Sequence, residues 1–83
     1  MGKTVSTAES ITAGHLQTKL TAVSGASDVF KGGITAYKLQ VKVEALGVDK
    51  ALAKRTDCVD IEVAWQMAAG ALSLFKSDYA LAT

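Results

Sequence analysis

Thr4-Val5-Ser6-Thr7-Ala8-Glu9-Ser10-Ile11-Thr12-Ala13-Gly14 is the stretch whose change of pattern sets the fold. Its first half, Thr4 to Ala8, alternates modestly and is rich in β-branched residues, which suits a pleated, half-buried strand. After Glu9-Ser10 the period lengthens. Ile11, Leu16, Leu20 and Val23 supply a loose apolar stripe, so a helix is expected from Ile11 or Thr12. Ser24-Gly25-Ala26-Ser27-Asp28 closes that helix with turn-forming residues. A strand that runs into a helix opens a βα unit, and the remainder of the chain continues it.

Gly32-Gly33-Ile34-Thr35-Ala36-Tyr37 reads as a second strand, over 33–37, led in by a flexible glycine pair. Lys38 to Leu46 reads as a helix, because Leu39, Val43 and Leu46 fall on one helical face. Gly47 stands where a C′ glycine belongs, and Asp49 can N-cap a short helix from Lys50 to Lys54. Asp60 to Lys76 carries the strongest helical pattern. Ile61, Trp65, Ala68, Leu72 and Phe75 repeat along it and are expected to face the sheet. Asp60 is the expected N-cap, and Glu62 and Lys76 suit the two dipole ends. Gly70 costs about 1 kcal/mol against alanine in mid-helix, which close approach of another element would explain. Tyr79 to Thr83 reads as a last strand, at 78–82. Strands separated by helices predict an α/β fold, a layered α/β/α sandwich on a largely parallel sheet.

With 83 residues there is room for one domain, residues 1–83. A chain this short buries only about 60% of its unfolded surface. The 49% hydrophobic content with 20% charge describes a globular chain and argues against disorder. Proline is absent, so turns fall to Gly, Asp and Ser. A net charge of +1 offers no field for nucleic acid. Lys50, Lys54 and Arg55 cluster, but Asp49 and Asp57 flank them, as on a solvated helix face. His15 and Cys58 are the single histidine and cysteine, so neither a metal site nor an internal disulfide is expected. No apolar run is long enough for a membrane span or a signal segment, and a cytoplasmic location is expected.

In an open α/β sheet, ligands gather at the carboxyl ends of the strands. The first such end is Ala8-Glu9-Ser10-Ile11-Thr12-Ala13-Gly14, which sets hydroxyls and small residues at a helix start. Free N–H groups there can hold a phosphate or stabilise an oxyanion. Ser and Thr are also the ordinary caps of such a helix, so capping and chemistry both remain open. The spacing is neither a P-loop nor a dinucleotide fingerprint. The second strand ends at Tyr37, with Lys38 and Lys42 following one helical turn apart. A lysine beside a serine can serve as general base if burial keeps it neutral; otherwise both lysines are solvated.

These segments together resemble one family. Ala8-Glu9-Ser10-Ile11-Thr12-Ala13-Gly14 resembles the A-E-S-C-T-G-G signature of the CinA C-terminal domain family. Gly25-Ala26-Ser27, Phe30, Gly32 and Gly33 resemble its G-S-S…F-x-G-G segment, and Tyr37 to Lys42 resembles Y-S-N-E-A-K. Leu46-Gly47-Val48 is similar to its L-G-V. Val63, Met67, Ala68 and Gly70 are similar to V-x-x-M-A-x-G, and Asp78-Tyr79-Ala80-Leu81-Ala82 to D-Y-A-L-A. The resemblance runs in order over nearly the whole chain. It implies amide hydrolysis of nicotinamide mononucleotide to nicotinic acid mononucleotide and ammonia, with a small-molecule nucleotide as substrate and no metal or organic cofactor. It also implies a catalytic Ser/Lys pair at Ser10 and Lys42. Thr12, Gly14 and Tyr37 match the substrate-lining positions, and the N–H groups of Ile11 and Thr12 are the expected oxyanion donors.

The sequence departs from the pattern at Ile11, Ala13, Leu39, Gln40 and Asp60, where the family has Cys, Gly, Asn, Glu and Ser. The family also begins with a further helix and continues into a glycine-rich T-G-x-A-G-P loop that would contribute to the substrate site. The chain thus corresponds to roughly half of the family's domain. It is expected to turn over little by itself, and to self-associate as a homo-oligomer because half a domain leaves apolar surface uncovered. The alternative is a non-catalytic homologue acting as a binding or oligomerising unit.

Overall fold

The computed structural model describes residues 2–83. Strand β1, Val5–Glu9, is the centre of a three-stranded sheet, with β2, Phe30–Thr35, on one side and β3, Tyr79–Ala82, on the other. Both pairings are parallel, as the alternation of strands and helices requires. Helix α1, His15–Thr21, follows β1, and a short 3₁₀ turn at Ala26–Asp28 leads into β2. Between β2 and β3 come α2, Leu39–Leu46, α3, Lys50–Thr56, and α4, Ile61–Phe75.

Two adjacent glycines show the layering. A Cβ at Gly32 would strike the Phe75 ring of α4, whereas one at Gly33 would strike Thr7 and Gln17 of α1. Successive strand residues face opposite sides, so α1 lies on one face of the sheet and α4 on the other. Helix α2 packs on α4, and α3 on α2. The glycine pair is therefore inside β2, which starts at Phe30 and ends at Thr35 rather than spanning 33–37. Its glycines make room for helices on both faces and do not act as a flexible lead-in.

The core is built from small side chains: Ala8, Ala36, Ala53 and Ala71 are fully buried, with Leu46, Val48, Val63 and Met67 among them. On α4 the inward stripe is Val63, Met67, Gly70 and Ala71. Ile61 and Trp65, expected to face the sheet, are 89% and 67% exposed; Ala68, Leu72 and Phe75 are only half-buried. The helix is apolar nearly all round, so period alone left the facing stripe undecided. The small residues decide it, because a Cβ at Gly70 would fall on the Leu46 carbonyl, and α2 and α4 approach that closely only over a glycine.

Local signals hold where they are backbone signals. Gly47 caps α2 in the left-handed region at φ 71°, and the Asp60 side chain accepts the Glu62 N–H at 2.8 Å. Asp49 occupies the N-cap position of α3 but its side chain makes no cap bond; instead its N–H donates to Gln66 Oε1. The first helix starts at His15, not at Ile11 or Thr12, and Ile11 and Val23 of its expected stripe are exposed. Residues 10–14 form turns, with Ala13 at φ 52° and Gly14 at φ 98°. Among the described residues no helix is long and apolar enough to cross a membrane, and no group of three His, Cys, Asp or Glu side chains is placed to hold a metal ion.

Candidate functional site

The carboxyl ends of all three strands meet at one place. The Ala36 N–H donates to the Glu9 carbonyl at 2.8 Å and the Thr83 N–H to the Ala8 carbonyl at 3.0 Å, so the chain exits at Ser10, Tyr37 and Thr83 lie side by side. In front of them opens a cleft of about 630 Å³. Ser10, Ile11, Tyr37 and Thr83 line it from the strand ends, Leu39 and Lys42 from α2, and Val63, Ala64 and Met67 from α4. The Asp57–Asp60 connection closes its other wall. There Asp57 and Cys58 both have positive φ, 54° and 62°.

Lys42 is 3% exposed. Its place on α2 explains this: it stands one turn before Leu46, on the helix face that packs against α4. The Nζ donates to the Tyr37 carbonyl oxygen at 2.7 Å. Lys42 is thus turned inward, into the cleft that Ser10 also lines. The Tyr37 side chain is 68% exposed and stands at the rim.

The expected site residues divide into two groups. Ser10, Ile11, Tyr37 and Lys42 share the cleft, whereas Thr12 and Gly14 are not among its lining residues. Their polar groups are engaged behind the loop, by a residue that the sequence reading treated only as a strand end. Glu9 is 0% exposed, and its carboxylate accepts from Thr12 Oγ1 at 2.7 Å and from the N–H groups of Gly14, Leu16 and Gln17 at 3.1, 2.8 and 2.9 Å. Burial pushes this carboxyl up, but the four donors outweigh it and hold the group below its ordinary value of 4.5. The start of α1, proposed from sequence as the seat for substrate charge, is therefore occupied by the protein's own carboxylate. Thr12 spends its proton on Glu9, so the contact of 2.6 Å with Thr83 has the Thr83 hydroxyl as donor. Among the described residues the N–H groups of Ile11 and Thr12 carry no protein acceptor.

A signal for Glu9 was present in the sequence. A carboxylate ending a buried strand, followed by a small-residue turn and a helix, stands where helix N–H groups converge.

A three-layered α/β domain with a cleft at the carboxyl ends of its parallel strands is the class that this fold and site define. Within that class, the family model of the CinA C-terminal domain matches residues 1–83, and the chain belongs to that family. It is 44% identical, over 98% of its length, to a CinA-like protein of Prochlorococcus marinus, and 47% identical over 98% to one of Mycolicibacterium vanbaalenii. It spans 19% of each of those relatives. Among solved structures it is similar to a competence-damaged protein (CinA) superfamily protein of Escherichia coli, with a TM-score of 0.93 and 30% identity. It is likewise similar to the competence/damage inducible protein CihA of Agrobacterium tumefaciens, with a TM-score of 0.93 and 37% identity. It covers 47% and 49% of those two chains, with 98% of its own residues in each match.

Proposed function

We propose that the chain carries the Ser/Lys portion of an amidohydrolase site whose substrate is nicotinamide mononucleotide. The observation that supports it is the convergence of Ser10, at the end of β1, and a buried Lys42, on the helix that follows the adjacent β2, on one cleft. In this reading the Ser10 hydroxyl attacks the carboxamide carbon, and Lys42 in its neutral form takes the hydroxyl proton. Negative charge develops on the amide oxygen, where the N–H groups of Ile11 and Thr12 can donate to it. The C–N bond then breaks and ammonia leaves with a proton returned by Lys42. Water cleaves the resulting ester, giving nicotinic acid mononucleotide and free Ser10. Ile11, Leu39 and Val63 give the cleft apolar walls suited to a flat pyridine ring.

The test is ammonia release from nicotinamide mononucleotide, measured for the chain itself and for a relative-length protein that carries this segment. Turnover is expected only in the longer protein, and Ser10→Ala should abolish it. Equal release after Ser10→Ala would refute Ser10 as nucleophile. Robust deamidation by the 83-residue chain would show that this segment needs no further contribution to its site.

A further inference from the structure

We infer that Glu9 is the positioning residue of this site, its carboxylate fixing the Ser10 loop from behind while its backbone carbonyl fixes the neighbouring exit of β2. This rests on the reading of Ser10 as nucleophile. The Glu9 carboxylate gathers four donors from residues 12–17, so the loop that leaves Glu9 through Ser10 and Ile11 is tied back at its far end to the buried side chain of the residue it starts from. The carbonyl of the same residue accepts the Ala36 N–H, which sets the exit of β2. The next residue, Tyr37, holds the Lys42 Nζ through its own carbonyl. One residue thereby connects the nucleophile's loop with the lysine's anchor. A glutamate is required by the donors: all four point at it, and it is acceptor-only when ionised. Glutamine would present an NH₂ to at least one N–H group and leave a buried donor unpaired. Residue 13 makes this anchoring necessary. Ala13 is held at φ 52°, a conformation that a free loop would leave, and the carboxylate bonds to Thr12 and Gly14 bracket it.

The test pairs amide hydrogen exchange of residues 10–17 with labelling of Ser10 by phenylmethylsulfonyl fluoride, read by intact mass with Ser10→Ala as blank. Glu9→Gln and the milder Thr12→Val are expected to speed exchange in the loop while the strands stay protected. Each should slow Ser10 labelling by about tenfold to a hundredfold, the penalty for a displaced reacting group. Glu9→Asp, which keeps the charge on a shorter arm, should recover part of both. Loop exchange and labelling that match the parent in a folded Glu9→Gln or Thr12→Val chain would overturn the inference. If Ser10 of the parent is labelled no faster than the blank, the nucleophile reading fails, and the exchange measurement still decides whether Glu9 holds the loop.

Discussion

Lys42 Nζ sits 2.7 Å from the carbonyl oxygen of Tyr37 and, among the described residues, is not hydrogen-bonded to Ser10. The lysine is thus held at the cleft wall by the exit of β2, the strand end next to the one that carries Ser10. Lys42→Met keeps the length of the side chain and removes the amine. It is expected to cost about 1–3 kcal/mol in a urea titration, mainly because the Tyr37 carbonyl loses a donor. Labelling of Ser10 by a sulfonyl fluoride should fall by about a hundredfold or more, the range for a lost general base. Unchanged labelling in a folded variant would take Lys42 out of the reaction.

Gly70→Ala sets helix propensity against packing. Alanine is the better helix former by about 1 kcal/mol. At this position, however, the new methyl would meet the Leu46 carbonyl, which is backbone and yields little. Overpacking should win, and the urea midpoint should fall by the equivalent of about 1–3 kcal/mol. Ser73→Ala, exposed on the same helix, is the control and should give a slight gain. A stabilised Gly70→Ala would mean that α2 and α4 do not touch there.

Acid should unfold the chain through two carboxylates. Glu9 is lowered from 4.5: burial opposes ionisation, but the Thr12 hydroxyl and three backbone N–H groups outweigh it. Asp78 is lowered from 3.8, by the backbone N–H and then the hydroxyl of Thr4. A carboxyl whose folded value lies below its unfolded value stabilises the fold above the unfolded value. That contribution is lost as pH falls through the folded value. Stability is therefore expected to hold down to about pH 5 and then decline below the ordinary carboxylate range. Asp78→Asn and Glu9→Gln should each flatten part of that decline, at the cost of lower stability at neutral pH. A parent urea midpoint that is flat from about pH 7 to about pH 3 would contradict both assignments.

Ala13→Gly should stabilise the protein. The left-handed region costs an ordinary residue about 1–2 kcal/mol, and a glycine gives back less than about 1 kcal/mol through its freer unfolded state. A net gain of about 0.5–1 kcal/mol is expected. Gly14→Ala, at φ 98°, should do the reverse. Thermal denaturation of the two variants side by side checks the sign.

The outer face of α4 is expected to mediate self-association. Ile61 and Trp65 lie one turn apart with most of their surface in solvent, a combination that favours burial against a second copy. Sedimentation over a wide concentration range should show a species heavier than the monomer, and Trp65→Glu should shift it back. A parent that stays monomeric throughout would refute this.

The order of elements, the parallel pairing and the caps at Gly47 and Asp60 were legible in the sequence, because strand pattern, capping and left-handed glycines are properties of a few neighbouring residues. The family, too, was legible in motifs that stand in order along the chain, confirmed by a match over residues 1–83. The facing stripe of α4 was not legible. Two apolar stripes compete on that helix, and the choice between them is made by the carbonyl of Leu46, twenty-four residues away from Gly70. The start of α1 was misplaced for a related reason: Thr12 and Gly14 look like helix-start residues, and only the buried carboxylate of Glu9 shows that they close a turn around it. Sequence by itself therefore determined the succession of strands and helices and the parallel character of the sheet, since these follow from local pattern. Which polar groups face the cleft and which are consumed inside the protein was decided by the tertiary structure, because hydrogen-bond partners and close packing depend on segments that meet only when the chain is folded.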